Sequence, residues 1–151
     1  MKTIQQRVWA LIALVAAFVS LGAWALSSPI GSSPDDDYHN ASIWCGQGFR
    51  EGLCEEGSED GAVVVAKTLV ANSACFAFHP EVSGACPQSS QPTETIRSNA
   101  DGGYPPFFYW AMSWFASGNL EGSIIAMRLF NGAFAIALLA VTLAVIPREQ
   151  R

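Results

Sequence analysis

Two uninterrupted apolar runs, one near each end of the chain, constrain it more than anything between them. From Val8 to Leu26 the sequence VWALIALVAAFVSLGAWAL holds no ionisable residue. Its roughly 19 positions, at about 1.5 Å of helical rise each, cross a hydrocarbon core about 30 Å thick. A second run, LFNGAFAIALLAVTLAVI from Leu129 to Ile146, is interrupted only by Asn131 and Thr142, which a membrane helix accommodates at an end or by bonding its own backbone. Pro147 then stops it. Half of all residues are hydrophobic, yet they gather at the two ends instead of spreading as they do across a soluble domain. The class expected is a mainly α membrane protein. Two transmembrane helices flank a disulfide-bearing extracytoplasmic loop that holds short helices and a small β element.

The first run has a rival reading. Lys2 and Arg7 form a basic leader and Ala23-Trp24-Ala25 fits a small-x-small cleavage site, so a signal peptide released after Ala25 would leave a secreted, disulfide-bonded module. Against this, the run exceeds the usual apolar stretch of about 7–15 residues, and Trp24 suits an interfacial anchor. Retention as a span is the reading adopted.

Basic residues set the orientation. Lys2 and Arg7 precede the first span, and Arg148 and Arg151 follow the second, which puts both termini in the cytoplasm. The expected segments are a cytoplasmic N-terminus at 1–7, a first span at 8–26, an extracytoplasmic loop at 27–104, an interfacial aromatic helix and turn at 105–122, a second span at 123–146 and a cytoplasmic C-terminus at 147–151. Cys45, Cys54, Cys75 and Cys86 all lie in the loop, and an even count in an oxidising compartment implies two disulfides. Of the three connectivities, nearest neighbours are favoured, Cys45 with Cys54 and Cys75 with Cys86, because each pair closes a short Gly-rich loop. A zinc site is the weaker alternative, since no CxxC pair is present.

Within the loop, Pro29, Gly31 and Pro34 force an extended exit from the first span. Asp35, Asp36 and Asp37 follow, and Asp is favoured at the cap and first turn of a helix, so a short helix starts there and ends at Gly46 and Gly48. REGLCEEGSEDG is an acidic surface excursion. Ala62–Ala71, with its Val63-Val64-Val65 cluster, is expected to be a strand. PQSSQPTETIRSNADGG is expected to be a mobile connector. PFFYWAMSWFAS, which follows Tyr104-Pro105, is too short to cross a membrane and so aromatic that it is expected at the headgroups as an interfacial helix. Asn40-Ala41-Ser42 matches a glycosylation sequon but falls inside the short helix and is discounted.

Chemistry points to one place. A helix beginning near Asp35 puts His39 at i+4 on the same face, and the adjacent carboxylates of Asp35 and Asp36 suit either acid–base work or a divalent cation, Mg²⁺ or Mn²⁺. Plain helix capping on a solvated surface accounts for the same triplet. The loop carries twelve Asp and Glu against three Lys and Arg, a balance that excludes a nucleic-acid partner.

PDDDYHNASIWCGQG at Pro34–Gly48, CFAFHPEVSGAC at Cys75–Cys86 and YPPFFYWAM at Tyr104–Met112, bracketed by the two spans, resemble the start of a bacterial polytopic membrane family, domain of unknown function 2142. That family in turn resembles the GT-C glycosyltransferases, which take a polyprenyl-phosphate sugar as donor and keep an essential acidic residue just after the first membrane helix. The family's Pro-Asp-Glu-Pro-x-His pattern falls on Pro34, Asp35, Asp36, Asp37, Tyr38 and His39, with Asp36 in place of Glu and Asp37 in place of Pro. The resemblance implies Asp35, then Asp36, as the group that deprotonates an acceptor hydroxyl or holds a cation, with His39 beside them. An anionic donor is repelled by so acidic a loop unless a cation or a basic side chain intervenes, and Arg128 at the outer end of the second span is the expected contact to lipid phosphate. As a boundary residue it equally snorkels to headgroups. Because such enzymes have many more helices than two, the chain is expected to be the amino-terminal part of a longer membrane protein and inactive alone. The other function class is a small two-span protein whose outer domain binds a partner without chemistry.

Overall fold

The structure is a computed structural model that describes residues 2–146; the expected cytoplasmic tail at 147–151, with Arg148 and Arg151, lies outside the described residues. Eight elements follow in order. They are α1 (Lys2–Ser27), α2 (Asp36–Trp44), β1 (Glu55–Glu56), β2 (Val63–Ala66), α3 (Lys67–Ala71), β3 (Pro92–Thr95), α4 (Phe107–Met112) and α5 (Leu120–Val145). They sort into two compact units, one made of α1 with the part of α5 from Ile125 onward, the other of Ser28–Ile124.

In the first unit both helices are long and apolar enough to cross a membrane, and both begin earlier than the apolar runs alone indicated. Only 6% and 11% of their apolar windows are buried, whereas the core helix of a soluble protein would be mostly covered. Gly132 leaves room for Leu21, whose Cδ1 would stand 3.5 Å from an added Cβ. Thr142 donates its hydroxyl to the Leu138 carbonyl at 2.8 Å, so its polar group is satisfied inside the helix as the sequence requires. At the other end of the pair the Arg128 guanidinium carbon lies 5.6 Å from the Trp24 ring centroid, a cation–π contact.

The second unit is built on α2. Asp36 and Asp37 in its first turn favour the positive end of the helix dipole, and Ala41, Ile43 and Trp44 are buried. Both expected disulfides form: Cys45–Cys54, with Cα atoms 5.2 Å apart, and Cys75–Cys86, 6.1 Å apart. A three-stranded antiparallel sheet runs in the order β1-β2-β3, with Glu56 opposite Val63 on one side and Val63 opposite Thr95 on the other. Val63 and Val65 point into the core while Val64 and Ala66 are half-buried, the period-2 pattern of a one-sided sheet.

Two expectations about this unit need correction. The strand expected over Ala62–Ala71 stops at Ala66 and the chain turns into α3, where Leu69 and Thr68 reach the core. Nor is the polar segment after Cys86 a free connector. Lys67 N donates to Gln91 O at 2.9 Å, Ser89 N donates to Thr68 Oγ1 at 2.6 Å, and Pro92–Thr95 completes the sheet. Backbone pairing orders this stretch without apolar side chains, and Pro92 sits at the first strand position, where its missing N–H costs least.

The expected interfacial segment at 105–122 is indeed helical in part. Pro106 caps α4, a short 3-10 turn over Ser113–Phe115 continues it, and α5 starts at Leu120. Gly46 lets α2 and α4 approach: a Cβ there would stand 2.4 Å from the Tyr109 carbonyl oxygen.

Candidate functional site

Asp35 occupies the cap position of α2 at φ 59°, in the left-handed region that Asp tolerates better than most residues. Its carbonyl accepts from His39 N at 3.0 Å, but its carboxylate makes no capping bond. The side chain turns to Arg97 instead, accepting from Nη2 on Oδ1 at 3.0 Å. Arg97, just past β3, also donates from Nε to Asp37 Oδ2 at 2.5 Å and from Nη2 to Asp37 Oδ1 at 3.2 Å, a bidentate fork. The Arg97 hydrogen bond holds the Asp37 carboxyl below the usual carboxylate range, and Asp37 pushes the guanidinium further up. Asp36 takes a different role, its Oδ2 accepting from Ser33 N at 3.2 Å. Asp35 thus holds the cap position without a side-chain capping bond, while one carboxylate of the triplet braces the preceding turn and two converge on an arginine.

One turn further along α2, Tyr38, His39 and Ser42 meet the segment from Ser98 to Tyr109. His39 Nδ1 and the Tyr109 hydroxyl are 3.0 Å apart, with their rings stacked at a 6.0 Å centroid distance. Burial pushes the Tyr109 phenol up, with Tyr38 and Tyr104 adding to it, so Tyr109 keeps its proton at neutral pH. Tyr104 packs edge-on against both Tyr38 and His39, 5.7 and 6.1 Å between centroids. Asn99 ties this group together. It accepts from Tyr104 N at 2.7 Å and from the Tyr38 hydroxyl at 3.1 Å, donates to Tyr104 O at 2.9 Å, and its own N–H reaches Ser42 Oγ at 2.9 Å. A cavity of about 150 Å³ opens beside them, lined among others by Ser42, Ser98, Asn99 and Tyr109.

Asp35 and His39, expected on one face, are both present here but serve different partners, Arg97 and Tyr109. Asp35 and Asp36 likewise point to different groups, and among the described residues no group of three or more His, Cys, Asp or Glu side chains is gathered. Arg97 supplies a positive charge beside Asp35 and Asp37. Arg128, the basic group singled out from sequence, belongs to the helical unit with Trp24. Sequence reasoning missed Arg97, Asn99 and the hydroxyl of Tyr109. A signal for Arg97 existed, since it is the only lysine or arginine in the stretch between Lys67 and Arg128.

The chemistry of this arrangement is that of an open polar site. Asp35 is 67% exposed, and its Oδ2 has no protein partner among the described residues. It remains available to accept a proton or a hydroxyl hydrogen bond while Arg97 fixes its other oxygen.

Two apolar helices of membrane length bracketing a disulfide-bonded domain define a helical membrane protein. The chain belongs to the family described as predicted membrane protein (DUF2142), whose model matches residues 18–151. No curated protein and no solved structure matches it.

Proposed function

We propose that this chain spans a bacterial cytoplasmic membrane through α1 and α5, with both ends cytoplasmic and the Ser28–Ile124 unit extracytoplasmic. There it presents an acidic site for a hydroxyl-bearing acceptor in sugar transfer from a polyprenyl-phosphate donor, the chemistry of the GT-C enzymes that the family resembles. The observation that carries this reading is Arg97 gathering Asp35 and Asp37 next to the His39–Tyr109 pair. Asp35 is the base, because Asp37 is held below the usual carboxylate range by its bidentate arginine and Asp36 is engaged by Ser33 N. Arg97 positions Asp35 and offsets the repulsion between this acidic unit and an anionic donor. Arg128 is the lipid-phosphate contact on the helical unit, and the lipid bilayer surrounds both spans.

The chain alone is expected to be inactive, so sugar transfer assayed in membranes of cells expressing a full-length family member that carries this segment tests this. Asp35→Asn should lower the rate by roughly 10²-fold or more, the usual contribution of a general base, with Asp37→Asn acting much less. An unchanged rate in Asp35→Asn would overturn the assignment.

A second reading, a non-catalytic outer domain that binds a protein partner, is favoured by Phe78. It is fully exposed at 100% and held at φ 65° near the tip of the Cys75–Cys86 loop, a strained placement for an aromatic residue. Loss of a co-purifying partner on Phe78→Ser, with the fold intact, is the result that this reading expects.

A further inference from the structure

α4 and the turn after it have two faces. Tyr109 and Met112 point inward, each 4% exposed, whereas Phe107, Trp110 and Trp114 are 74%, 46% and 68% exposed. The three exposed rings touch in series, Phe107 to Trp110 at 6.0 Å and Trp110 to Trp114 at 6.1 Å between centroids, so they form one continuous ridge. Phe108 adds a further half-exposed ring. No charged residue and no histidine occurs between Asp101 and Glu121, although the rest of the unit is strongly acidic. A monomeric soluble surface rarely leaves so many aromatic rings in water side by side.

We infer that this ridge is a membrane-docking surface, seated at the boundary between headgroups and acyl chains of an uncharged or zwitterionic bilayer leaflet. Three observations select lipid as the occupant. The ring types are those enriched at bilayer interfaces, where an apolar ring with a polar edge is favoured. The ridge itself is charge-free, and the net acidity of the unit around it disfavours an anionic leaflet. The ridge is also tethered: four residues separate Phe115 from Leu120, where a helix of membrane length begins, so the chain cannot carry it far from any bilayer that α5 enters. Because Tyr109 lies on the opposite face of the same short helix and holds His39, lipid contact through Phe107 and Trp114 braces the inner face that closes the polar site. The inference rests on α5 being a membrane span.

Nitroxide labels on the full chain in phosphatidylcholine nanodiscs, with both disulfides intact by mass, test it. Labels at Phe107→Cys and Trp114→Cys should be several-fold more accessible to oxygen, relative to a soluble nickel chelate, than a label at Glu59→Cys. A label at Phe134→Cys in α5 reports the span. If 134 is shielded from nickel while 107 and 114 are as nickel-accessible as 59, the docking surface is refuted and the span stands. Protection of 107 and 114 from both reagents would identify a protein occupant and overturn the lipid assignment. Free nickel access at 134 would overturn the span and the docking proposal together.

Discussion

Arg97 decides the electrostatics of the acidic triplet. Its fork lowers the Asp37 pKa, so the folded state binds a proton there less readily than the unfolded chain does. The stabilisation is complete above the unfolded carboxylate value of about 3.9 and is lost as the pH falls through the folded one. Solvent screening keeps the effect small, since Arg97 is 54% exposed and Asp37 is 30% exposed. In an NMR titration the Asp37 carboxyl of the wild type should protonate at lower pH than a free aspartate, and Arg97→Gln should move it upward. No difference between the two curves would mean that the fork is absent in solution. At Tyr109 the expected result is thermodynamic. Tyr109→Phe removes the partner of His39 Nδ1 and should cost about 0.5–1.5 kcal/mol, measured by thermal unfolding followed by near-ultraviolet circular dichroism.

Helices and strands here are positioned by a few close approaches. Gly46→Ala would drive a methyl group into the Tyr109 backbone, forcing α2 and α4 apart and costing roughly 1–3 kcal/mol. A wild-type melting temperature in that variant would contradict the packing described. The two disulfides should differ in consequence. Cys54 is completely buried beside the end of α2, so replacing the Cys45–Cys54 pair with Ser should lower stability by about 2–4 kcal/mol and disturb the nearby tyrosine cluster. Replacing Cys75–Cys86 should leave the NMR resonances of Tyr38 and Tyr109 in place, because that bridge closes a loop in which Phe78 and Val82 are exposed. Elements with strong local signals were legible in the sequence: α2 from its acidic first turn and following glycines, α1 and α5 from unbroken hydropathy. β3 was not, because Pro92-Thr93-Glu94-Thr95 is polar and gains its strand conformation from pairing with Val63–Ala66.

Across the whole molecule, the proposed topology makes two further measurements decisive. Protease treatment of intact cells should cleave within the Ser28–Ile124 unit and spare both chain ends. Cleavage only after the cells are opened would reverse the orientation and remove the oxidising setting assigned to the disulfides. Intact mass of the mature protein should retain the segment before Ala25; its loss would establish the secreted module and leave the site without its first anchor. Family membership and the two apolar helices bear directly on the membrane assignment, while the sugar-transfer reading is a proposal drawn from the family's resemblance to GT-C enzymes and from the site.

The sequence by itself determined the two membrane-length helices, the pairing of neighbouring cysteines and the place of the acidic triplet, because hydropathy, short-loop closure and helix-start chemistry act over a few residues along the chain. Only the tertiary structure decided which groups those carboxylates meet. Arg97 lies 60 positions from Asp37, and Tyr109 lies 70 from His39, so both contacts exist only once β3 has paired in register and α4 has closed on Gly46. A residue's partner across such a separation is set by backbone pairing and packing, and nothing local to either residue encodes it.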